Sequence, residues 1–237
     1  MYDLSIVLCT INEADNLPEV LKIIDEKVNA NYQIVFVDDE STDGTREFIL
    51  EYEKKHSNVK HIFNETRKST LIAHYMGFKN SDGKFIIILD ADLQHPPEKI
   101  NEIYQKLVYG YDIVVASRYT ESSAITKRNF YRFLLSRGAE IIAKMAIKST
   151  SKTSDPLSGF FGFKRDINVP VDEKRRGYKF LLLLLAANPY AKVTDIPYIF
   201  SERKRGKSKV AKGIKFMFVY LNEVLYAKSI ENKFKKK

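Results

Sequence analysis

One cysteine, Cys9, stands in 237 residues, so no disulfide can close within the chain. Its place in an apolar run reads as a small buried hydrophobe in a reducing compartment. Long hydrophobic runs are missing too. The longest uninterrupted apolar stretch, Phe180 to Ala187, falls far short of the roughly 18 residues a spanning helix needs. The chain as given is therefore not expected to cross a membrane, while spanning segments beyond Lys237 stay open. No basic region precedes the first strand-like run, which argues against a secretory leader, and no internal repeat is present. Acid is scarce in one half only. Residues 1–126 carry 13 Lys/Arg against 21 Asp/Glu, a net of −8, and residues 127–237 carry 26 against 9, a net of +17, within an overall charge of +9. A basic half of this kind suits a phosphate-rich partner, either an anionic membrane surface or nucleic acid.

What is present is the alternation of short β-branched runs with amphipathic stretches that marks βαβ units and a mostly parallel sheet. Strands are expected at Leu4–Cys9, Gln33–Val37, Val59–Phe63, Phe85–Leu89 and Asp112–Ala116. Helices are expected near Asn16–Val28, Thr45–Lys54, Ser69–Lys79 and Pro97–Val108. After Ser117 the pattern becomes a helix near Asn129–Ile147, a buried helix at Phe180–Ala187, a strand near Val193–Phe200, a basic loop and a helix from Gly213 to about Glu231. The expected organisation is one α/β domain over 1–212, divided where the regular alternation stops into 1–116 and 117–212, the second part carrying the basic loop. An amphipathic C-terminal helix over 213–237 follows, either packed on the domain or lying on anionic lipid.

Polar residues gather just after the strands: Asn12 and Glu13, Asp38 and Asp39, then Asp90 and Asp92. Open α/β sheets bind ligands at the carboxyl ends of their strands, so the three groups are expected to converge. The run Asp90-Ala91-Asp92-Leu93-Gln94-His95-Pro96-Pro97 is the strongest local signal. Two carboxylates one residue apart share a side if the strand continues that far. A hard cation, Mg²⁺ or Mn²⁺, would take a few such oxygens and complete its shell from a diphosphate, whose departing charge it would neutralise. Asp38 and Asp39 can accept from ribose hydroxyls or a base edge.

These residues resemble the inverting nucleotide-sugar glycosyltransferases of the A-type, Rossmann-like fold (family 2), in particular the dolichol-phosphate mannose synthase group. The likeness runs from Thr10-Ile11-Asn12-Glu13 through Asp38-Asp39, the Asp90–Pro97 run, Ser117-Arg118-Tyr119, Arg132 with Ser136, Asp155-Pro156-Leu157-Ser158-Gly159-Phe160-Phe161, and Arg203 to Lys209. It implies transfer of a hexose, expected to be mannose from GDP-mannose, to dolichyl or polyprenyl phosphate, with Mg²⁺ or Mn²⁺ as cofactor. The nucleotide sugar would be bound by Thr10, Asn12, Glu13, Asp38, Asp39, Asp90, Ala91, Asp92 and Gln94, and the metal by Asp92 and Gln94. Arg118, Arg132, Ser136, Arg203, Arg205 and Lys209 would bind the acceptor phosphate, with Asp92, Arg118 and Arg132 as the catalytic set. It also implies a peripheral place on the cytoplasmic side of a membrane, with room for a separate anchoring subunit.

Cys9, Glu40 and Arg67-Lys68-Ser69-Thr70 depart from that pattern, the last where a glycine-rich turn often approaches the nucleotide. A UDP-glucose-dependent polyprenyl-phosphate glucosyltransferase is therefore the rival within enzymes. A basic membrane- or nucleic-acid-binding module is the rival outside them, but aromatic and basic residues are not interleaved as a stacking platform needs, so no nucleic acid is expected.

Overall fold

Period-two alternation in the first strand sets the architecture. In β1 (Leu4–Thr10), Leu4, Ile6 and Leu8 turn to one face of the sheet and Val7 to the other, and all four are fully buried. A sheet with both faces apolar must be covered on both. The computed structural model describes residues 1–120, 124–125, 130–173, 177–200 and 214–235, with backbone alone at 124–125, 130–135 and 214–216.

The remaining strands of the main sheet are β2 (Tyr32–Asp39), β3 (Val59–Asn64), β4 (Phe85–Asp90), β5 (Ile113–Ser117), β7 (Phe161–Lys164) and β8 (Val193–Pro197), in the order β3-β2-β1-β4-β7-β5-β8. All pairings are parallel except those of β7, which runs antiparallel to both β4 and β5. A separate parallel pair joins β6 (Ala124–Ile125) to β9 (Ile199–Phe200). Helices α1 (Leu17–Lys27), α2 (Thr45–Glu53) and α4 (Ile100–Val108) supply side chains to the core on one face. Helices α3 (Thr70–Lys79), α5 (Phe130–Ala146), α6 (Phe180–Ala187) and α7 (Ile214–Lys235) do so on the other. All eight residues of α6 are buried, as a helix apolar on every side requires.

The five expected strands of the first half are present, each extended or trimmed by a residue or so, and three expectations change. No strand was expected at Phe161–Lys164, where Gly162 weakens the pattern. That glycine lets α4 settle onto the sheet, since a Cβ there would lie 2.5 Å from Ile103 Cγ2 and 3.0 Å from Leu107 Cδ1. The helix expected from Pro97 opens as a 3₁₀ turn, Pro97–Lys99, before α4. The strand expected over Val193–Phe200 is broken at Tyr198, which divides β8 from β9.

The C-terminal helix belongs to the domain and still shows an apolar face. Tyr220, Val224, Ala227 and Ile230 of α7 are buried, while Met217, Phe218, Leu221 and Leu225 are exposed. Two buried carboxylates tie it down. Glu223 accepts the N–H groups of Tyr178 (2.6 Å) and Lys179 (3.0 Å) just before α6, and Glu231 accepts those of Lys148 (3.2 Å) and Ser149 (2.7 Å). No helix among the described residues is long and apolar enough to cross a membrane.

Candidate functional site

Strands β1, β2 and β4 end at one edge, and each leads into a turn with a non-glycine residue at positive φ: Asn12 (50°), Glu40 (64°) and Leu93 (59°). Left-handed backbone at such residues persists only where the surroundings hold it. The first two turns brace each other. Asn12 N–H donates to Ser41 Oγ (2.7 Å), Thr42 N–H donates to Asn12 Oδ1 (2.7 Å), and Glu13 N–H donates to Thr45 Oγ1 (2.9 Å).

The two acids of β2 look in different directions. Asp38, fully buried, accepts from Thr10 Oγ1 (3.0 Å), Ser41 N–H (3.1 Å), Ser41 Oγ and Arg46 Nε (2.7 Å). A carboxylate so engaged fastens the turn to Thr10 and to Arg46 of α2. Asp39 accepts from Asn64 Nδ2 (2.9 Å) and takes Lys68 N–H on both oxygens at 3.1 Å. The Arg67–Thr70 segment is thereby fastened beside the Asp39 carboxylate. Between β2 and β4, burial and then the charges of Asp90 and Asp39 push the Cys9 thiol up, so it stays protonated.

Strand β4 stops at Asp90, so alternation does not carry Asp92; the left-handed Leu93 turns the chain instead. Ala91 N–H donates to Cys9 O (3.3 Å), and Gln94 N–H donates to the buried Asp92 carboxylate (3.1 Å). Asp90 N–H points to His95 Nδ1 at 3.4 Å, and the His95 ring is buried against Phe160, Tyr198 and Phe200, with centroids 5.6, 6.0 and 5.9 Å away. No group of three or more His, Cys, Asp or Glu side chains that could hold a metal occurs among the described residues. The carboxylate of Asp92 and the amide of Gln94 are two hard oxygen donors in one turn. Such a set suits a cation that takes its other ligands from a diphosphate and water rather than from a protein cage.

Across the sheet edge, Arg118 follows β5 and is gripped by Asp155. Nε and Nη2 donate to the two carboxylate oxygens at 2.7 Å each, and the Arg118 N–H adds a third bond at 3.3 Å. Burial pulls the guanidinium down, but Asp155 more than offsets it, and the group lies above its ordinary value. Asp155 is held in turn through Thr153 and Ser154, whose hydroxyls donate to Asp195 of β8 at 2.6 Å. Tyr119 lies beside Arg118 and Arg137 (5.2 and 4.5 Å from its ring centre), and its hydroxyl meets Ser136 Oγ at 3.1 Å.

Three features join the two sides. Gly159 comes so near that a Cβ would stand 3.1 Å from His95 Cε1 and 3.6 Å from Asp90 Oδ2. Lys179 donates from Nζ to Leu157 O (3.2 Å) and lies within electrostatic reach of Arg118, Asp155, Glu223 and Asp90; burial lowers its pKa first, and Arg118 adds to that. Tyr198 is within reach of Arg118, Asp155, Asp90 and Asp92 together. None of Lys179, Tyr198 and His95 was singled out as a site residue from the sequence. The one available signal was a lysine standing directly before the uninterrupted apolar run of α6. Of the remaining expected residues, Arg132 lies in α5 with its side chain outside the described residues, and Arg203, Arg205 and Lys209 lie outside them altogether.

Residues 5–169 match glycosyl transferase family 2. A dolichol-phosphate mannosyltransferase of Pyrococcus furiosus is 37% identical over 221 residues, covering 93% of this chain, and one of Saccharomyces cerevisiae is 29% identical over 204 residues, covering 82% of this chain and 74% of its own length. The chain spans 62% of the length of the Pyrococcus relative. Among solved structures, glucosyl-3-phosphoglycerate synthase of Mycobacterium tuberculosis, in complex with Mn²⁺, UDP-glucose and phosphoglyceric acid, superposes with a TM-score of 0.70 at 16% identity, covering 97% of this chain and 80% of that one. A mannosyltransferase of Pyrobaculum calidifontis, in complex with GDP-Man and Mn²⁺, gives 0.58 at 20% identity, covering 86% and 58%.

Proposed function

The chain belongs to glycosyl transferase family 2 and has the A-type fold of nucleotide-sugar transferases, and from these premises we propose that it moves mannose from GDP-mannose, with inversion, onto dolichyl or polyprenyl phosphate. The observation that carries the reading is the meeting of the Asp90–Gln94 turn with the Arg118–Asp155 pair across Gly159, Lys179 and Tyr198. A diphosphate site and a phosphate site facing one gap is what transfer between two phosphorylated substrates needs.

In this reading Thr10, Asn12, Glu13, Asp38 and Asp39 seat the nucleoside, the Asp38 carboxylate also holding Thr10 in place. Asp92 and Gln94 would hold a divalent cation, Mn²⁺ or Mg²⁺, which when bound neutralises charge on the departing diphosphate. Arg118, with Arg132 and Ser136 one turn apart on α5, would bind the acceptor phosphate. A guanidinium has five N–H donors and Asp155 engages two of them, so the others remain for phosphate oxygens. Lys179 supplies a further cation between donor and acceptor. A phosphate monoester with a second pKa of about 6 is already largely dianionic at neutral pH. Its oxygen attacks the anomeric carbon in line as the bond to the diphosphate breaks, and no protein base is required. Arg203, Arg205 and Lys209 would close over both phosphates and keep water out; alanine at Arg205 and Lys209 is expected to depress turnover while nucleotide binding survives.

Exposed Met217, Phe218, Leu221 and Leu225 on α7, and Ile141, Ile142 and Met145 on α5, within a half of net charge +17, support a peripheral place on anionic lipid at the cytoplasmic side, with or without a separate anchoring subunit. The test is transfer of labelled sugar from GDP-mannose or UDP-glucose to dolichyl phosphate with Mn²⁺ or Mg²⁺. Transfer from GDP-mannose that disappears in Asp92→Ala is expected. Undiminished transfer in that variant overturns the metal assignment, and preference for UDP-glucose overturns the donor.

A further inference from the structure

Tyr198 sits at the break between β8 and β9, 2% exposed, with its ring walled by His95, Phe160 and Phe200 at 6.0, 6.0 and 6.2 Å. Among the described residues its hydroxyl oxygen is sealed from solvent and has no hydrogen-bond partner. A buried hydroxyl without a partner is unfavourable, and phenylalanine would fill the same space without that cost. The hydroxyl lies within electrostatic reach of Asp90 and Asp92 on one side and of Arg118 and Asp155 on the other. The group that must occupy the gap between a metal-held diphosphate and an arginine-held phosphate is the hexose in transit.

On the reading given above, we propose that the Tyr198 hydroxyl donates a hydrogen bond to an oxygen of the transferred hexose, making Tyr198 a sugar-recognition residue that lacks its partner until the donor binds. Of the three rings packed on Tyr198, His95 and Phe160 are buried and Phe200 is half-buried, with its ring under the Arg118 guanidinium at 5.7 Å. Phe200 is thus the ring able to give way as the hexose enters. This also explains why an unfavourable hydroxyl is kept where an apolar ring would serve packing better.

The experiment compares wild type with Tyr198→Phe for thermal midpoint without ligand, for affinity toward GDP and toward GDP-mannose with Mn²⁺, and for the acceptor KM with dolichyl phosphate. The expected result is a midpoint equal to or above wild type, unchanged GDP affinity, and GDP-mannose affinity or turnover reduced on the order of tenfold, the worth of one hydrogen bond. Wild-type behaviour toward GDP-mannose in the variant would overturn the inference. So would a loss confined to the acceptor KM, which would move the bond to the acceptor phosphate, or a lowered midpoint with proportionate loss in every assay, which would make the residue a packing element. A wild-type protein that neither binds nor uses GDP-mannose would instead sink the functional reading itself.

Discussion

Arg118 and Asp155 form a pair whose side chains are 12% and 1% exposed. At such burial the Coulomb gain barely repays desolvation, but removing one partner leaves the other charged in a poor medium. Asp155→Asn is therefore expected to destabilise the fold by about 3 kcal/mol, seen as a lower urea midpoint, and to depress turnover by releasing Arg118. His74 gives a different signature. Burial, with Lys179 and His95 adding to it, lowers its pKa from 6.5 to about 3, and among the described residues neither ring nitrogen has a hydrogen-bond partner. The folded protein thus keeps His74 neutral where the unfolded chain would protonate it. The resulting stability is fully present above pH 6.5 and is lost as the pH falls from 6.5 toward 3. His74→Leu should flatten that part of the stability profile, measured as urea midpoints at pH 7 and pH 5; an unaltered slope would contradict the assignment.

At the scale of elements, α7 presents two apolar faces with separate duties. Val224 is 3% exposed and Phe218 and Leu225 are 68% and 71% exposed. Val224→Ala should cost about 2 kcal/mol. Phe218→Ser with Leu225→Ser should leave the thermal midpoint almost unmoved and reduce flotation with anionic liposomes, and flotation equal to wild type would remove the lipid-facing role. The apolar positions of this helix were legible in the sequence, but its two faces were not, because hydropathy alone cannot tell that Val224 and Ile230 turn inward while Leu221 and Leu225 turn to water. The same limit hid β7. Four residues with a central glycine carry no periodic signal, and their strand identity comes from antiparallel pairing with β4 and β5, segments distant in the chain. By contrast β1, β2 and β4 were legible because each is an unbroken β-branched run delivering acids or amides at its end. The partners of those acids were not. That Asp38 faces Thr10 and Arg46 while Asp39 faces Lys68 depends on a twist of the chain no spacing encodes.

For the molecule as a whole, the uneven charge separates two kinds of salt dependence. Residues 127–237 carry a net +17 and residues 1–126 a net −8, so binding to anionic vesicles should weaken as ionic strength rises past the point where the screening length drops below about 8 Å. On the proposed function, nucleotide binding would rest on buried polar groups rather than on the basic half and should weaken much less. Vesicle flotation and GDP titration at low and high salt check the contrast; parallel losses would mean that the basic half also dominates donor binding.

The antiparallel strand β7 has a consequence in time as well as in space. Strand β5 touches the sheet only through β7 and β8, so residues 113–117 have no neighbour until residues 161–164 arrive to link them to β4. A chain emerging from the ribosome can pair β1 with β2 and β4, and β2 with β3, early, yet it must wait for residues 161–164 before β5 is linked to them. Arg118 directly follows β5, so it meets Asp155 only after that residue and Gly159, which lie just ahead of β7, have been synthesised. The order of assembly thus leaves the Arg118–Asp155 pair unmade until the chain has reached β7.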